Sequence, residues 1–99
     1  MRKRGKLDGN HTAVVAELRE LGFSVQSLAS IGDGCPDLLV GSAARNYLFE
    51  LKNPEQAPSK RRLTDDEYAW IAKWEGQARV VETTEQIVTV IRRSYGRKD

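Results

Sequence analysis

Residues 36–52 read PDLLVGSAARNYLFELK, and this stretch decides the fold that the sequence predicts. It holds two short segments rich in apolar residues, at 37–40 and 46–52, on either side of a turn-forming segment at 41–44. Short apolar runs bounded by a glycine-containing turn are typical of β-strands joined as a hairpin. We therefore expect 37–40 and 46–52 to be neighbouring strands of one sheet.

Two acids and one amine accompany these strands. Side chains alternate between the two faces of a strand, so Glu50 and Lys52 share one face while Leu51 points into an apolar interior. If Asp37 opens the adjacent strand, two carboxylates and one ammonium group meet at one edge of the sheet. Two carboxylates attract a divalent cation, and a lysine beside it can hold a phosphate or position a water molecule. The pattern predicts a site for metal-assisted cleavage of a phosphodiester.

The rest of the chain predicts helices around this pair of strands. Val14, Leu18 and Leu21 recur at helical spacing, and Thr64 with Glu67 has the signature of a capping box. The predicted order is a helix at 10–21, strands at 23–28, 37–40 and 46–52, a helix capped by Thr64 and ending near Trp74, a strand at 78–81 and a last helix from Thr84. The expected inner stripe of the second helix is Tyr68, Ile71, Ala72 and Trp74. This order indicates an α/β fold with a mixed central sheet flanked by helices.

Length and composition indicate one soluble domain. The chain has 99 residues, of which 39% are hydrophobic and 30% charged, so residues 1–99 form a single domain with basic tails at 1–6 and 94–99. The single cysteine, Cys35, excludes an intramolecular disulfide and a cysteine-based zinc cage, and it fits a reducing compartment. No apolar run approaches the roughly 20 residues of a membrane helix. We therefore expect a cytoplasmic protein with no membrane partner.

The element order, with its Pro-Asp strand followed by a Glu-x-Lys strand, resembles the restriction-endonuclease-like αβββαβ core of the PD-(D/E)XK nuclease superfamily. Flanking strings narrow the resemblance to the VRR-NUC domain, in the compact stand-alone form found in phages and prophages. These strings are DGNH at 8–11, LRELG at 18–22, GDGCPDLLVG at 32–41, FELKNP at 49–54, KRRLT at 60–64 and the Trp74-x-Gly76 turn. The resemblance covers nearly the whole chain.

The resemblance implies an endonuclease that depends on Mg²⁺ or Mn²⁺, acting in a bacterial host cell as a homodimer on branched DNA such as four-way junctions. It implies that Asp37 and Glu50 bind the metal, that the backbone carbonyl of Leu51 completes the shell, and that Lys52 lies near the attacking water.

One departure from the family pattern concerns the first helix. Related nucleases often carry a glutamate there that reaches the metal site, and in this chain the corresponding position falls at or next to His11. His11 is therefore a further candidate metal ligand, and Asn10 is a candidate to hold a water. Glu67 occupies a position that is often Gln or Glu in the family, so it is either a capping residue or a residue that contacts the site.

Basic side chains form the candidate DNA-binding surface. The candidates are Arg2, Lys3, Arg4, Lys60, Arg61 and Arg62. Solvated charged segments are the alternative interpretation, because the net charge is only +2. The missing helix glutamate also leaves a second function open, that of a DNA-binding accessory protein with the nuclease fold and little or no catalysis.

Overall fold

The computed structural model describes residues 9–95, and within them it contains three α-helices and four strands. In chain order these are α1 (His11–Glu20), β1 (Ser24–Ser27), β2 (Leu38–Ser42), β3 (Arg45–Leu51), α2 (Asp65–Lys73), β4 (Arg79–Val81) and α3 (Thr84–Tyr95), with a short 3-10 turn at Pro58–Lys60. The predicted order of helices and strands is confirmed. Each predicted element lies within about two residues of its observed bounds.

The four strands form one mixed sheet in the order β1-β2-β3-β4. β1 pairs with β2 and β2 with β3 in antiparallel fashion, whereas β3 and β4 run parallel. The parallel pair requires a crossover connection, and the segment containing α2 supplies it. The protein is therefore an α/β domain with a mixed sheet and helices, as the sequence predicted at this coarser level.

The core lies on one face of the sheet, under α1 and α3. Leu38, Phe49 and Leu51 are fully buried on alternate positions of β2 and β3, which is the period that a half-covered strand requires. The core consists of Val14, Leu18, Leu38, Val40, Tyr47, Phe49, Leu51, Val81, Ile87 and Ile91. Glu50 points to the opposite face of β3, and that face carries the polar residues singled out in the sequence.

Helix α2 contributes no fully buried residue, and the predicted inner stripe is wrong at every position except Ile71. Tyr68 is 68% exposed and Trp74 is 47% exposed. The half-buried positions are instead Glu67, Trp70 and Ile71, at i, i+3 and i+4. The prediction assumed that the large aromatic side chains of α2 lie in the core. Trp70 and Trp74 instead stack on each other, with ring centroids 4.5 Å apart.

The end of α3 docks on the β2–β3 hairpin. Arg45 Nη1 donates a hydrogen bond of 2.6 Å to the carbonyl of Ser94, and the hydroxyls of Ser42 and Tyr95 are also hydrogen-bonded. Ser94 and Tyr95, which the sequence assigned to a basic tail, therefore form the last turn of a helix. The candidates Arg2, Lys3 and Arg4 lie outside the described residues. Within 9–95, no helix has the length and apolar character needed to cross a bilayer.

The β2–β3 hairpin turns through two alanines in the left-handed region, Ala43 at φ 52° and Ala44 at φ 63°. Two-residue hairpins with positive φ at both positions favour Asn-Gly, because a Cβ atom in this region costs about 1–2 kcal/mol. We expect the double substitution Ala43→Asn with Ala44→Gly to raise the free energy of unfolding by about 1–2 kcal/mol in urea denaturation. Ala57→Gly, at a residue with φ of −56°, is the control and should give no gain. An unchanged midpoint in the double variant would contradict the assigned turn.

Candidate metal centre

Strand register brings Asp37 and Glu50 together. β2 and β3 pair with Leu38 opposite Phe49, so the next antiparallel pair outward is Asp37 opposite Glu50. Asp37 immediately precedes β2, and Glu50 lies one residue before the end of β3. The two acids are close enough that Asp37 contributes to raising the pKa of Glu50. The two carboxyl groups therefore share one site, as the sequence pattern predicted.

The backbone of Leu51 is also part of this site. Its N–H donates a hydrogen bond of 2.8 Å to Asp37 Oδ2. The N–H and C=O groups of one strand residue point to the same side of the strand, so the Leu51 carbonyl lies on the Asp37 side of β3. The N–H of Lys52 points the other way and donates 2.9 Å to the carbonyl of Val81 on β4. Leu51 thus presents both backbone groups towards Asp37.

Glu50 is a buried carboxyl with little to stabilise its charge. It is 3% exposed, and burial raises its pKa to about 10, with further contributions from the neighbouring Asp37 and Glu67 and a partial offset from Lys52. Two adjacent carboxylates do not both ionise readily unless a cation compensates them. Oxygen donors in this arrangement are the ligands that Mg²⁺ and Mn²⁺ prefer. The residues present therefore fit a divalent cation.

Lys52 lies between two glutamates. The residue is 7% exposed, and its Nζ lies 2.7 Å from Glu67 Oε1 and 3.5 Å from Glu50 Oε2. The contact with Glu67 is a charge-assisted hydrogen bond. The contact with Glu50 is an ion pair that is too long for an ideal hydrogen bond. Lys52 is thus in the position predicted for it, beside the paired acids, but the shorter of these two contacts is with α2.

Glu67 has both of the roles that the sequence left as alternatives. Its Oε1 accepts a hydrogen bond of 2.8 Å from the Thr64 N–H, while its own N–H donates to Thr64 Oγ1, which completes the capping box. The same Oε1 accepts from Lys52 Nζ. Burial acts to raise the pKa of Glu67, but the hydrogen bonds from Lys52 and Thr64 outweigh it and the pKa is lowered. Glu67 is therefore an anion that joins the first turn of α2 to Lys52.

Gly34 brings the loop before Asp37 against α2, a contact that the sequence analysis missed. Gly34 has φ of 84°, and a Cβ atom added there would lie 2.2 Å from the carbonyl oxygen of Asp66. No side chain fits at this distance, so the loop and the helix approach through bare backbone. The Gly-Asp-Gly string at 32–34 was the available signal, but it does not indicate which segment approaches.

Asn10 and His11 lie at the start of α1, near the ends of the strands. The Asn10 side-chain amide donates 3.2 Å to the carbonyl of Lys52 and 3.0 Å to that of Glu82, so it joins the ends of β3 and β4. His11 is buried, and its Nε2 lies 3.4 Å from Ser27 Oγ in a hydrogen bond whose donor depends on the tautomer. Asn10 therefore supports the site through the backbone, and the metal-ligand role of His11 stays a prediction.

The basic loop after Lys52 divides into anchored and exposed side chains. Arg61 is half-buried and forms a salt bridge of 3.1 Å with Glu82 Oε2, which ties the loop to the end of β4. Lys60 and Arg62 are exposed. The two exposed side chains are therefore available to a phosphate backbone, whereas Arg61 has a structural partner.

A bound ion would need more ligands than the protein side chains supply. Within residues 9–95, no group of three or more His, Cys, Asp or Glu side chains is arranged to hold a metal. Asp37, Glu50 and the Leu51 carbonyl would therefore leave several positions to water, which is how Mg²⁺ is usually bound. Cys35 lies near the two acids, and burial followed by the charges of Glu50 and Asp37 raises its pKa, so it remains a neutral thiol at neutral pH.

Comparisons of the chain with protein-family models, curated proteins and solved structures give no significant match. Any functional assignment therefore depends on the residues and geometry of the site.

The raised pKa of Glu50 predicts a pH-dependent stability in the absence of metal. Between the ordinary pKa of 4.5 and the folded value of about 10, the folded protein binds more protons than the unfolded chain, so stability falls as pH rises through this window. We expect the urea midpoint, measured in chelator, to fall between about pH 6 and about pH 9. Glu50→Gln should flatten this fall, whereas Glu55→Gln, at an exposed residue, should not. Parallel profiles for all three proteins would contradict the assigned protonation.

Proposed function

We propose that this chain is a metal-dependent endonuclease that hydrolyses phosphodiester bonds in DNA, and that it belongs to the VRR-NUC group of PD-(D/E)XK nucleases. The observation that carries the proposal is the position of Asp37 opposite Glu50 at the ends of two paired strands, with the Lys52 ammonium 3.5 Å from Glu50. Two acids side by side at the ends of adjacent strands are costly to a fold as anions, and a divalent cation beside Lys52 would compensate them.

The residues have separate roles in the proposed reaction. Asp37, Glu50 and the carbonyl of Leu51 would hold Mg²⁺ or Mn²⁺, which when bound supplies Lewis acidity and positive charge at the scissile phosphate. Lys52 orients the attacking water and stabilises the negative charge that develops on phosphorus-bound oxygens. Glu67 holds Lys52 in place through their hydrogen bond of 2.7 Å.

DNA binding is assigned to the loop between Lys52 and α2. Lys60 and Arg62 are exposed there, and the loop begins and ends at residues of the site. Contacts from these side chains to phosphates would place the backbone of the substrate next to the paired acids. The resemblance adds that the substrate is branched DNA such as a four-way junction, and that two copies act as a homodimer. A two-fold pair would supply the two active sites that symmetric cuts require.

A DNA-binding accessory protein is the second candidate. The first turn of α1 contains no acidic residue, and the histidine at its start pairs with Ser27. A site with only two acids would then bind DNA through the basic loop without efficient cleavage.

A cleavage assay separates the two candidates. The protein is incubated with a four-way junction or a linear duplex, in Mg²⁺, Mn²⁺ or chelator. We expect cuts that need the metal, favour the junction, and fall at least about a hundredfold in Asp37→Asn. Asp33→Asn is the matched control, because Asp33 is exposed and its positive φ of 55° suits asparagine. Junction binding that persists in chelator without cuts in either metal would favour the accessory protein.

A further inference from the structure

The two contacts of Lys52 differ in a way that bears on metal binding. Nζ lies 2.7 Å from Glu67 and 3.5 Å from Glu50, so the closer hydrogen-bond acceptor is the residue that is not assigned to the metal. A buried ammonium needs anionic partners, because leaving it without one costs far more than a surface charge does. Without Glu67, Glu50 would still lie within ion-pair distance of Lys52.

Glu50 is also the acid that a divalent cation needs. An ammonium hydrogen-bonded to a carboxylate oxygen occupies a lone pair that would otherwise face the metal. A lysine released from Glu67 would move the short distance towards Glu50 and compete with the ion for its oxygens. Lys52 is buried directly after the end of β3, which limits how far its ammonium can move.

We propose that Glu67 is a positioning residue that holds the Lys52 ammonium away from Glu50 and so keeps the Glu50 oxygens available to a divalent cation. The capping box makes this hold rigid. Glu67 Oε1 is fixed by the Thr64 N–H at 2.8 Å, and the adjacent Asp66 peptide is packed against Gly34. The inference rests on the proposed metal-dependent function and adds how the Glu50 oxygens remain accessible to the metal.

The test measures Mn²⁺ binding by isothermal titration calorimetry without DNA, on variants shown to fold by circular dichroism. We expect Glu67→Ala to weaken binding by about tenfold and Glu67→Gln, which keeps an acceptor oxygen, to weaken it by less than about threefold. Glu67→Asp keeps the charge and the helix-capping tendency but shortens the side chain, so it should also weaken binding. Glu75→Ala, which removes an exposed glutamate outside the site, is the control and should bind Mn²⁺ as the unmodified protein does.

A double-variant cycle separates this role from a direct electrostatic effect of Glu67 on the ion. In a Lys52→Met background the competitor is absent, so Glu67→Ala should no longer weaken binding. The inference is overturned if Glu67→Ala and Glu67→Asp bind Mn²⁺ normally, or if the tenfold loss persists without Lys52. Either result leaves the proposed function standing. Failure of the unmodified protein to bind Mn²⁺ overturns the proposed function, and this inference with it.

Discussion

Cleavage of DNA will fall by at least about a hundredfold when Lys52 is replaced by methionine, while the protein still binds Mn²⁺. Methionine has a similar length and suits a position that is 7% exposed, so the fold should persist. The loss arises because Lys52 is a cationic side chain beside the paired acids, 3.5 Å from Glu50, and its charge is removed from the phosphate.

The measurement is single-turnover cleavage of a labelled four-way junction in Mn²⁺, together with Mn²⁺ titration of the same samples. Lys73→Met, at an exposed lysine of α2, is the control and should cleave normally. Near-normal cleavage by Lys52→Met would remove Lys52 from the reaction. If Mn²⁺ binding and cleavage were both lost, Lys52 would instead be needed to form the metal site.

The second large effect is on stability. We expect Gly34→Ala to lower the free energy of unfolding by about 2–4 kcal/mol, because the new methyl group meets the Asp66 carbonyl and the residue must also keep a positive φ. The added Cβ would lie 2.2 Å from the Asp66 oxygen and 3.0 Å from the Glu67 nitrogen, so the first turn of α2 must move. Cleavage should fall as well, since Glu67 moves with that turn.

Gly22 offers a matched control for this substitution. It also has a positive φ, of 96°, but a Cβ atom added there meets nothing within 4 Å. Gly22→Ala therefore measures the cost of the backbone conformation alone, about 1–2 kcal/mol. Equal destabilisation of the two variants in urea would show that the approach of α2 to Gly34 is looser than described.

The sequence predicted the paired acids well, because their geometry is local. Two strands joined by a short turn have one plausible register, and a side-chain period of two then fixes the faces of Glu50 and Lys52. The proline before Asp37 marked the start of the first strand. These constraints act within residues 36–52, so the pairing of the two acids can be predicted from this stretch alone.

The parts of the site that involve α2 were harder to predict. The contact of Gly34 with Asp66 joins residues that are far apart in the sequence. The Gly-Asp-Gly string at 32–34 does not indicate which segment it contacts. The stripe predicted for α2 followed its large aromatic residues, whereas the half-buried side includes the charged Glu67. Apolar periodicity assumes that a helix is fixed by hydrophobic burial, and α2 is fixed mainly by polar and backbone contacts.

Helix α2 has no buried side chain, and this has a consequence for the order in which the site forms. Asp37 and Glu50 belong to a sheet with a continuous apolar core, so their pairing should persist for as long as the domain is folded. Glu67 belongs to an element that opens at a lower free energy, because few apolar contacts resist its departure. We therefore expect the acids to be assembled first during folding, and the lysine to acquire its final orientation only when the helix docks.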